Sequence, residues 1–163
     1  MSLTAHQREV TRTIIRRYLE QAERNKANIH YSMLRPTPMH APTGEWATDC
    51  SGLAINAFNW ADQWTPWRVK DPGGYGYTGI GNTGSILSTN RKRRVPLDHK
   101  FFVGDMGLFG PSLSWTKHVV ICRKNGDINS SIWTSHGQES GPYSVELLYR
   151  RDLLCVVRAE ALA

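Results

Sequence analysis

The apolar positions near the start of the chain recur at helical spacing. Val10, Ile14, Tyr18 and Ala22 fall at every fourth position, with Ile15 and Leu19 beside them. This predicts a helix from Thr4 to about Lys26. Thr4 and Gln7 have the spacing of a capping box at its start. Arg8, Arg12, Arg16, Glu20 and Arg24 form its charged face, read here as solvated. A second stripe, Leu53, Ala54, Ala57, Phe58 and Ala61, predicts a helix that opens at Cys50, with Thr48 and Asp49 as cap residues just ahead of it. The stretch between, Arg35 to Ala47, holds Pro36, Pro38 and Pro42 and reads as a loop.

From Phe101 the period changes to two. Met106 to Phe109, Lys117 to Arg123, Ser131 to His136, Val145 to Tyr149 and Leu153 to Val157 read as strands. Val103-Gly104-Asp105 reads as a turn, and Lys124-Asn125-Gly126-Asp127 as a hairpin connection. Helices followed by an antiparallel sheet make an α+β fold. A single domain over 1–163 is expected, with a helical part to about 62, a glycine-rich loop over about 63–100 and a β part over about 101–160.

Composition changes the picture little. The net charge of +6 suits an anionic polymer as partner. Arg91-Lys92-Arg93-Arg94, the densest positive run, reads first as a solvated loop. Basic residues are otherwise dispersed and no recognised motif accompanies them, which argues against nucleic acid. No apolar run approaches the ~20 residues of a membrane span, and Met1-Ser2-Leu3-Thr4 does not open a signal peptide. Gly74-Tyr75-Gly76-Tyr77-Thr78-Gly79 matches G-x-G-x-x-G literally, but no apolar strand leads into it and no helical pattern leads out, so no dinucleotide site is expected. The three cysteines, Cys50, Cys122 and Cys155, include no C-x-x-C pair. Cys122 and Cys155 read as core residues of strands.

The candidate chemistry starts at Cys50. A thiol in the first turn of a helix faces unpaired backbone N–H groups and the positive end of the dipole, and both favour the thiolate, which is the nucleophile. Asp49 and Ser51 flank it as candidate substrate-binding or oxyanion groups. His118 begins one strand of the expected hairpin and His136 ends the other. A connection from Lys124 to Ser130 sets the two opposite each other, with Cα atoms ~4.5–5.5 Å apart. A two-residue Asn125-Gly126 turn sets them about three residues out of register instead. In the first geometry His118 takes the proton from Cys50 and His136 fixes the tautomer of His118. Trp64 and Trp67, with the tyrosines of the glycine-rich segment, are candidate walls of a cleft. A metal site of His118, His136 and Asp105 lacks any recognised ligand spacing.

Asp49-Cys50-Ser51-Gly52, Gly104-Asp105, His118-Val119-Val120-Ile121 and Ser135-His136-Gly137 follow one another in an order that resembles the NlpC-type peptidoglycan cysteine peptidases. The glycine-rich insert and the run Ser135-His136-Gly137-Gln138-Glu139-Ser140-Gly141-Pro142 look most like the versions in bacteriophage endolysins. The resemblance implies a papain-like fold, with the Cys50 helix packed on a central antiparallel sheet, and hydrolysis of amide bonds in the peptide stems of the bacterial cell wall. It implies Cys50 as nucleophile, His118 as base, and His136 or Ser135 as the third member. Tyr31 matches a tyrosine that helps polarise the scissile carbonyl. It also implies no metal or organic cofactor. The expected partners are the stem peptide and anionic wall polymers, with neither nucleic acid nor membrane, for a monomer made in the cytoplasm and released to the wall by phage lysis machinery or as part of a larger lysin. Within the same fold the alternatives are an N-acetylmuramoyl-L-alanine amidase, an interbacterial toxin, or a non-catalytic wall-binding or phage structural module.

Overall fold

The computed structural model describes every residue except Met1 and Glu139. Glu139, in the run after His136, therefore lies outside the described residues. The first helix, α1, spans Ala5–Arg24 and carries the expected capping box between Thr4 and Gln7. Its buried stripe is Thr11, Ile15, Tyr18, Leu19 and Ala22; Val10 and Ile14 lie only at its margin. Arg12 leaves the solvated face. Its guanidinium bonds the Leu162 carbonyl and lies over the Phe102 ring.

Two short strands, β1 (Ile29–Tyr31) and β2 (Trp46–Thr48), then pair in parallel. The second begins inside what the prolines mark as loop, because three prolines exclude a ladder only where they stand. The proline segment between them is tied to the next helix, α2 (Cys50–Trp64), by Asn56. Its amide donates to Pro38 O and accepts from His40 N. The positions expected to be apolar in α2 are all buried, and so are Ile55, Asn56 and Asn59.

The segment expected as loop to residue 100 contains a further helix, α3 (Thr83–Asn90), and a short strand, β3 (Arg94–Val95). The sequence Thr-Gly-Ser-Ile-Leu-Ser-Thr-Asn is poor in helix formers, and an Asn82–Ser85 capping box starts the helix. The remaining strands are β4 (Met106–Phe109), β5 (His118–Lys124), β6 (Ile132–Gly137), β7 (Ser140–Val145) and β8 (Leu153–Val157). They join β3 in a six-stranded antiparallel sheet of order β3-β8-β4-β5-β6-β7. The expected strand over 145–149 is displaced. Strand β7 ends at Val145, and Leu147–Tyr149 forms a 3-10 turn instead.

Alternation divides the sheet into two faces. Val119 and Ile121 of β5 face the core beneath α1 and α2, together with Cys50, Leu53, Phe58, Met106 and Leu108. Val120 and Cys122 face a second core of Phe101, Phe109, Trp133 and Leu147. The fold is thus α+β, with the Cys50 helix packed on the sheet. No helix among the described residues is long and apolar enough to cross a membrane.

Candidate active site

Cys50 is the first residue of α2, and the chain around it is built to hold that helix start. The Asp49 carboxylate accepts from Gly52 N at 2.8 Å and from the Ser51 hydroxyl at 3.1 Å. Arg35 reaches in from the proline segment and bonds Asp49 at 2.9 Å, Ser51 at 3.0 Å and the Gly81 carbonyl at 3.1 Å. Asp49 and Ser51, expected as substrate or oxyanion groups, therefore serve the helix cap. Gly52 answers a close approach, since a Cβ there would come 2.1 Å from Thr48 Oγ1.

The Cys50 side chain is 8% exposed. The Val119 and Ser51 backbone and the Thr83 hydroxyl lie beside its sulfur and favour the thiolate. The contact with Val119 has a cause in the sheet. Strands β5 and β6 pair from Ile121↔Thr134 to Lys124↔Ile132, although β5 begins at His118 and β6 runs on to Gly137. The start of β5 thus lacks β6 as a ladder partner, and the sulfur lies beside it. The thiol is not acidic here. Burial, then the Asp49 carboxylate, push its pKa above the ordinary value, and these three neighbours only partly offset them. The expectation from the helix dipole is corrected on this point: desolvation of a buried anion exceeds the stabilisation from the helix end.

His118 starts β5, opposite Phe109 of β4. Its Nε2 lies 2.7 Å from Ser135 Oγ and 2.7 Å from the Tyr149 hydroxyl. Its ring packs against Phe109, with centroids 5.9 Å apart. Burial, then the Arg150 charge, lower its pKa from 6.5 to about 4, with Asp152 opposing. The folded ring is therefore neutral at physiological pH. This sets a direction for stability. Above pH 6.5 neither the folded nor the unfolded chain protonates this ring. Between about 6.5 and 4 the unfolded chain binds a proton that the folded one refuses, so stability declines as pH falls, by up to roughly 3 kcal/mol from this group. Urea midpoints at pH 7 and pH 4.5 are expected to differ less in His118→Gln than in the wild type. An unchanged difference would show that His118 is not the group.

His136 does not orient His118. Strand β5 carries a bulge between Cys122 and Lys124, and past it the register is Ile121↔Thr134, one residue off the one that sets the two histidines opposite each other. A one-residue slip turns every side chain to the other face. Ser135 takes the place at His118, and His136 turns toward β1. There its Nε2 lies 3.1 Å from the Ile29 and His30 carbonyls, and its ring meets Tyr31 edge-on at 5.5 Å. His136 thus braces the strand that presents Tyr31. The Tyr31 phenol is held above its ordinary pKa by burial and then by the nearby Cys50 and Asp49.

Trp64 and Trp67 do not wall the site. Trp64 ends α2, about 21 Å along the axis from Cys50, and Trp67 donates to Thr11 of α1. Asp105 adjoins Cys122 at the other end of β5, about 13 Å along the strand from His118, and both its oxygens bind Arg158. The metal triad considered from sequence is therefore not assembled. The G-x-G-x-x-G segment is closed to a phosphate by its own chain, because the Asp71 carboxylate accepts from the backbone N–H of Gly73, Tyr75 and Tyr77.

Arg35, Thr83 and Tyr149 join the site without any signal in the sequence. Each is a single polar residue in a loop, at a helix start or in a turn, and only tertiary packing aims it. A groove of about 400 Å³, lined by Lys26, Ile29, His30, Tyr31, Gln138 and Tyr143 among others, opens beside Tyr31. No protein-family model, curated protein or solved structure matches the chain.

Proposed function

We propose that this chain is a cysteine-dependent hydrolase that cleaves amide bonds in the peptide stems of bacterial peptidoglycan, on a papain-like fold of the NlpC type. One observation carries the reading. The Cys50 thiol lies against the start of the strand that presents His118, and the far nitrogen of His118 is held by Ser135. With Nε2 engaged, Nδ1 is the nitrogen left for the thiol. A neutral imidazole beside a neutral thiol suits proton transfer in step with attack, not a preformed ion pair.

In that mechanism Cys50 Sγ attacks the scissile carbonyl carbon while its proton passes to His118. The oxyanion is met by the Cys50 N–H and the Tyr31 hydroxyl, and one such donor is typically worth ~10²–10³ in rate. His118 then gives the proton to the leaving amine as the C–N bond breaks. Water, deprotonated by the same ring, hydrolyses the thioester and restores the thiol. No step calls for a metal or an organic cofactor. The groove beside Tyr31 has the place and the size for part of a stem peptide. The net charge of +6 suits anionic wall polymers, which the protein would meet once released to the wall by lysis machinery or as part of a larger lysin.

The peptidoglycan assignment rests on the Asp-Cys-Ser-Gly, Gly-Asp and His-Val order together with this geometry. It is tested by digesting purified walls of several chemotypes and weighing the soluble fragments. New amino and carboxyl ends within the stem are expected. Stems freed whole from the glycan would move the activity to an N-acetylmuramoyl-L-alanine amidase. No soluble fragment from any wall would overturn the reading.

A further inference from the structure

We propose that Tyr149 is a positioning residue for His118: it holds the imidazole in the tautomer that leaves Nδ1 free to accept a proton. The proposal rests on the reading of His118 as the base for Cys50. The turn Leu147–Tyr149 is fixed by Leu147, which is fully buried and fills the space above Gly107, where a Cβ would come 2.8 Å from Leu147 Cδ1. This delivers the Tyr149 ring onto Phe109, with centroids 5.6 Å apart, and its hydroxyl to within 2.7 Å of His118 Nε2. Ser135 Oγ lies at the same 2.7 Å from the same nitrogen.

A neutral imidazole has one N–H and one lone pair, so the two hydroxyls decide between them which nitrogen keeps the proton. Burial, and then Tyr143, hold the Tyr149 phenol above its ordinary pKa, so it keeps its proton. Tyr143 is the cross-strand neighbour of Ser135 and shares its face. In the direction that serves the base, the hydrogen-bond chain starts at Nε2–H, which donates to the Ser135 and Tyr149 oxygens. The reverse direction would put a hydroxyl proton on the Nε2 lone pair and the ring proton on Nδ1, where it blocks the approach of the thiol's proton. Tyr149 is 38% exposed, so the chain also connects the buried ring to the surface, where the charge formed during turnover is more easily solvated.

The test is the tautomer of His118, read by nitrogen-15 NMR on histidine-labelled protein at pH 7, in the wild type, Tyr149→Phe and Ser135→Ala. Phenylalanine keeps the ring packing on Phe109 and removes only the hydroxyl. Wild-type His118 is expected to carry its proton on Nε2. In Tyr149→Phe a sizeable Nδ1–H fraction is expected, and kcat is expected to fall about tenfold, the worth of one neutral hydrogen bond, with KM unchanged. A wild-type ring protonated on Nδ1, or a Tyr149→Phe spectrum identical to wild type in a folded protein, would overturn the proposal. The NMR readout needs no substrate. It therefore decides the role of Tyr149 even if wall digestion fails, whereas a failed digestion with the expected tautomer would count against the hydrolase reading alone.

Discussion

Cys50→Ala is expected to lower release of soluble fragments from purified walls by roughly 10⁴- to 10⁶-fold, the range found when a nucleophile or its base is removed from an acyl-transfer site. The fold is expected to survive. The bonds that cap this helix start run through the Asp49 carboxylate, the Ser51 hydroxyl, Gly52 N and Arg35, and they survive loss of the sulfur. The thermal midpoint should therefore stay within a few degrees of wild type. Equal wall digestion by the two proteins would remove Cys50 from the mechanism. Cys50→Ser separates chemistry from shape further, since a neutral oxygen nucleophile with the same base retains the geometry but attacks poorly.

A second readout on the same residue concerns ionisation. Because burial holds the thiol above its ordinary pKa, iodoacetamide should alkylate Cys50 more slowly at pH 7 than it alkylates a free cysteine, and the rate should climb as pH rises. Fast alkylation at neutral pH would mean that the sulfur is already a thiolate, and that transfer to His118 precedes attack.

The start of α2 was legible in the sequence. Its apolar stripe and the Asp49 cap carry the signal locally, within one turn of helix, and the same holds for the capping box of α1. The sheet was legible as strands but not as faces. Whether His118 meets Ser135 or His136 depends on one bulged residue near Arg123, and alternation read from the sequence cannot register such a bulge. The acidity expected of Cys50 failed for a related reason. The helix end is a local feature, but desolvation depends on what the rest of the chain stacks over the sulfur. Strand β2 and helix α3 were missed because their segments hold prolines, glycines and small polar residues. Tertiary ties order them: parallel pairing with β1 in one case, and burial of Ile86 and Leu87 in the main core with Asn90 donating to Pro72 O in the other. The tryptophans were placed at the site by their chemistry alone, and the length of α2 carries them away from it.

Asp105→Ala is expected to destabilise the protein by about 3–5 kcal/mol, which for a domain of this size is a loss of about 10 °C or more in Tm. Asp105 is fully buried. Its two oxygens accept from Arg158 Nε and Nη2 at 2.8 Å each, and one of them also accepts from Phe102 N at 2.9 Å. Its carbonyl accepts from Cys122 N, and the preceding Gly104, with φ at +93°, returns its N–H to Cys122 O. The Gly-Asp pair is thus the clamp that starts β4 against β5 and ties both, through Arg158, to the end of β8. Removing the carboxylate leaves the partly buried Arg158 guanidinium and the Phe102 N–H without their acceptor, which accounts for the large expected cost. Asp105→Asn keeps one oxygen for these donors and should lose less. A double-mutant cycle of Asp105→Ala with Arg158→Met separates the pair from its surroundings, because the double variant removes both charges and should lose less than the sum of the singles. A loss below about 1 kcal/mol in Asp105→Ala would show that water replaces the carboxylate, and the clamp would then not be what fixes β5. With the clamp confirmed, the Gly-Asp element gains a physical role: it holds the register of β5 at the end away from the site, and the strand carries that register to His118.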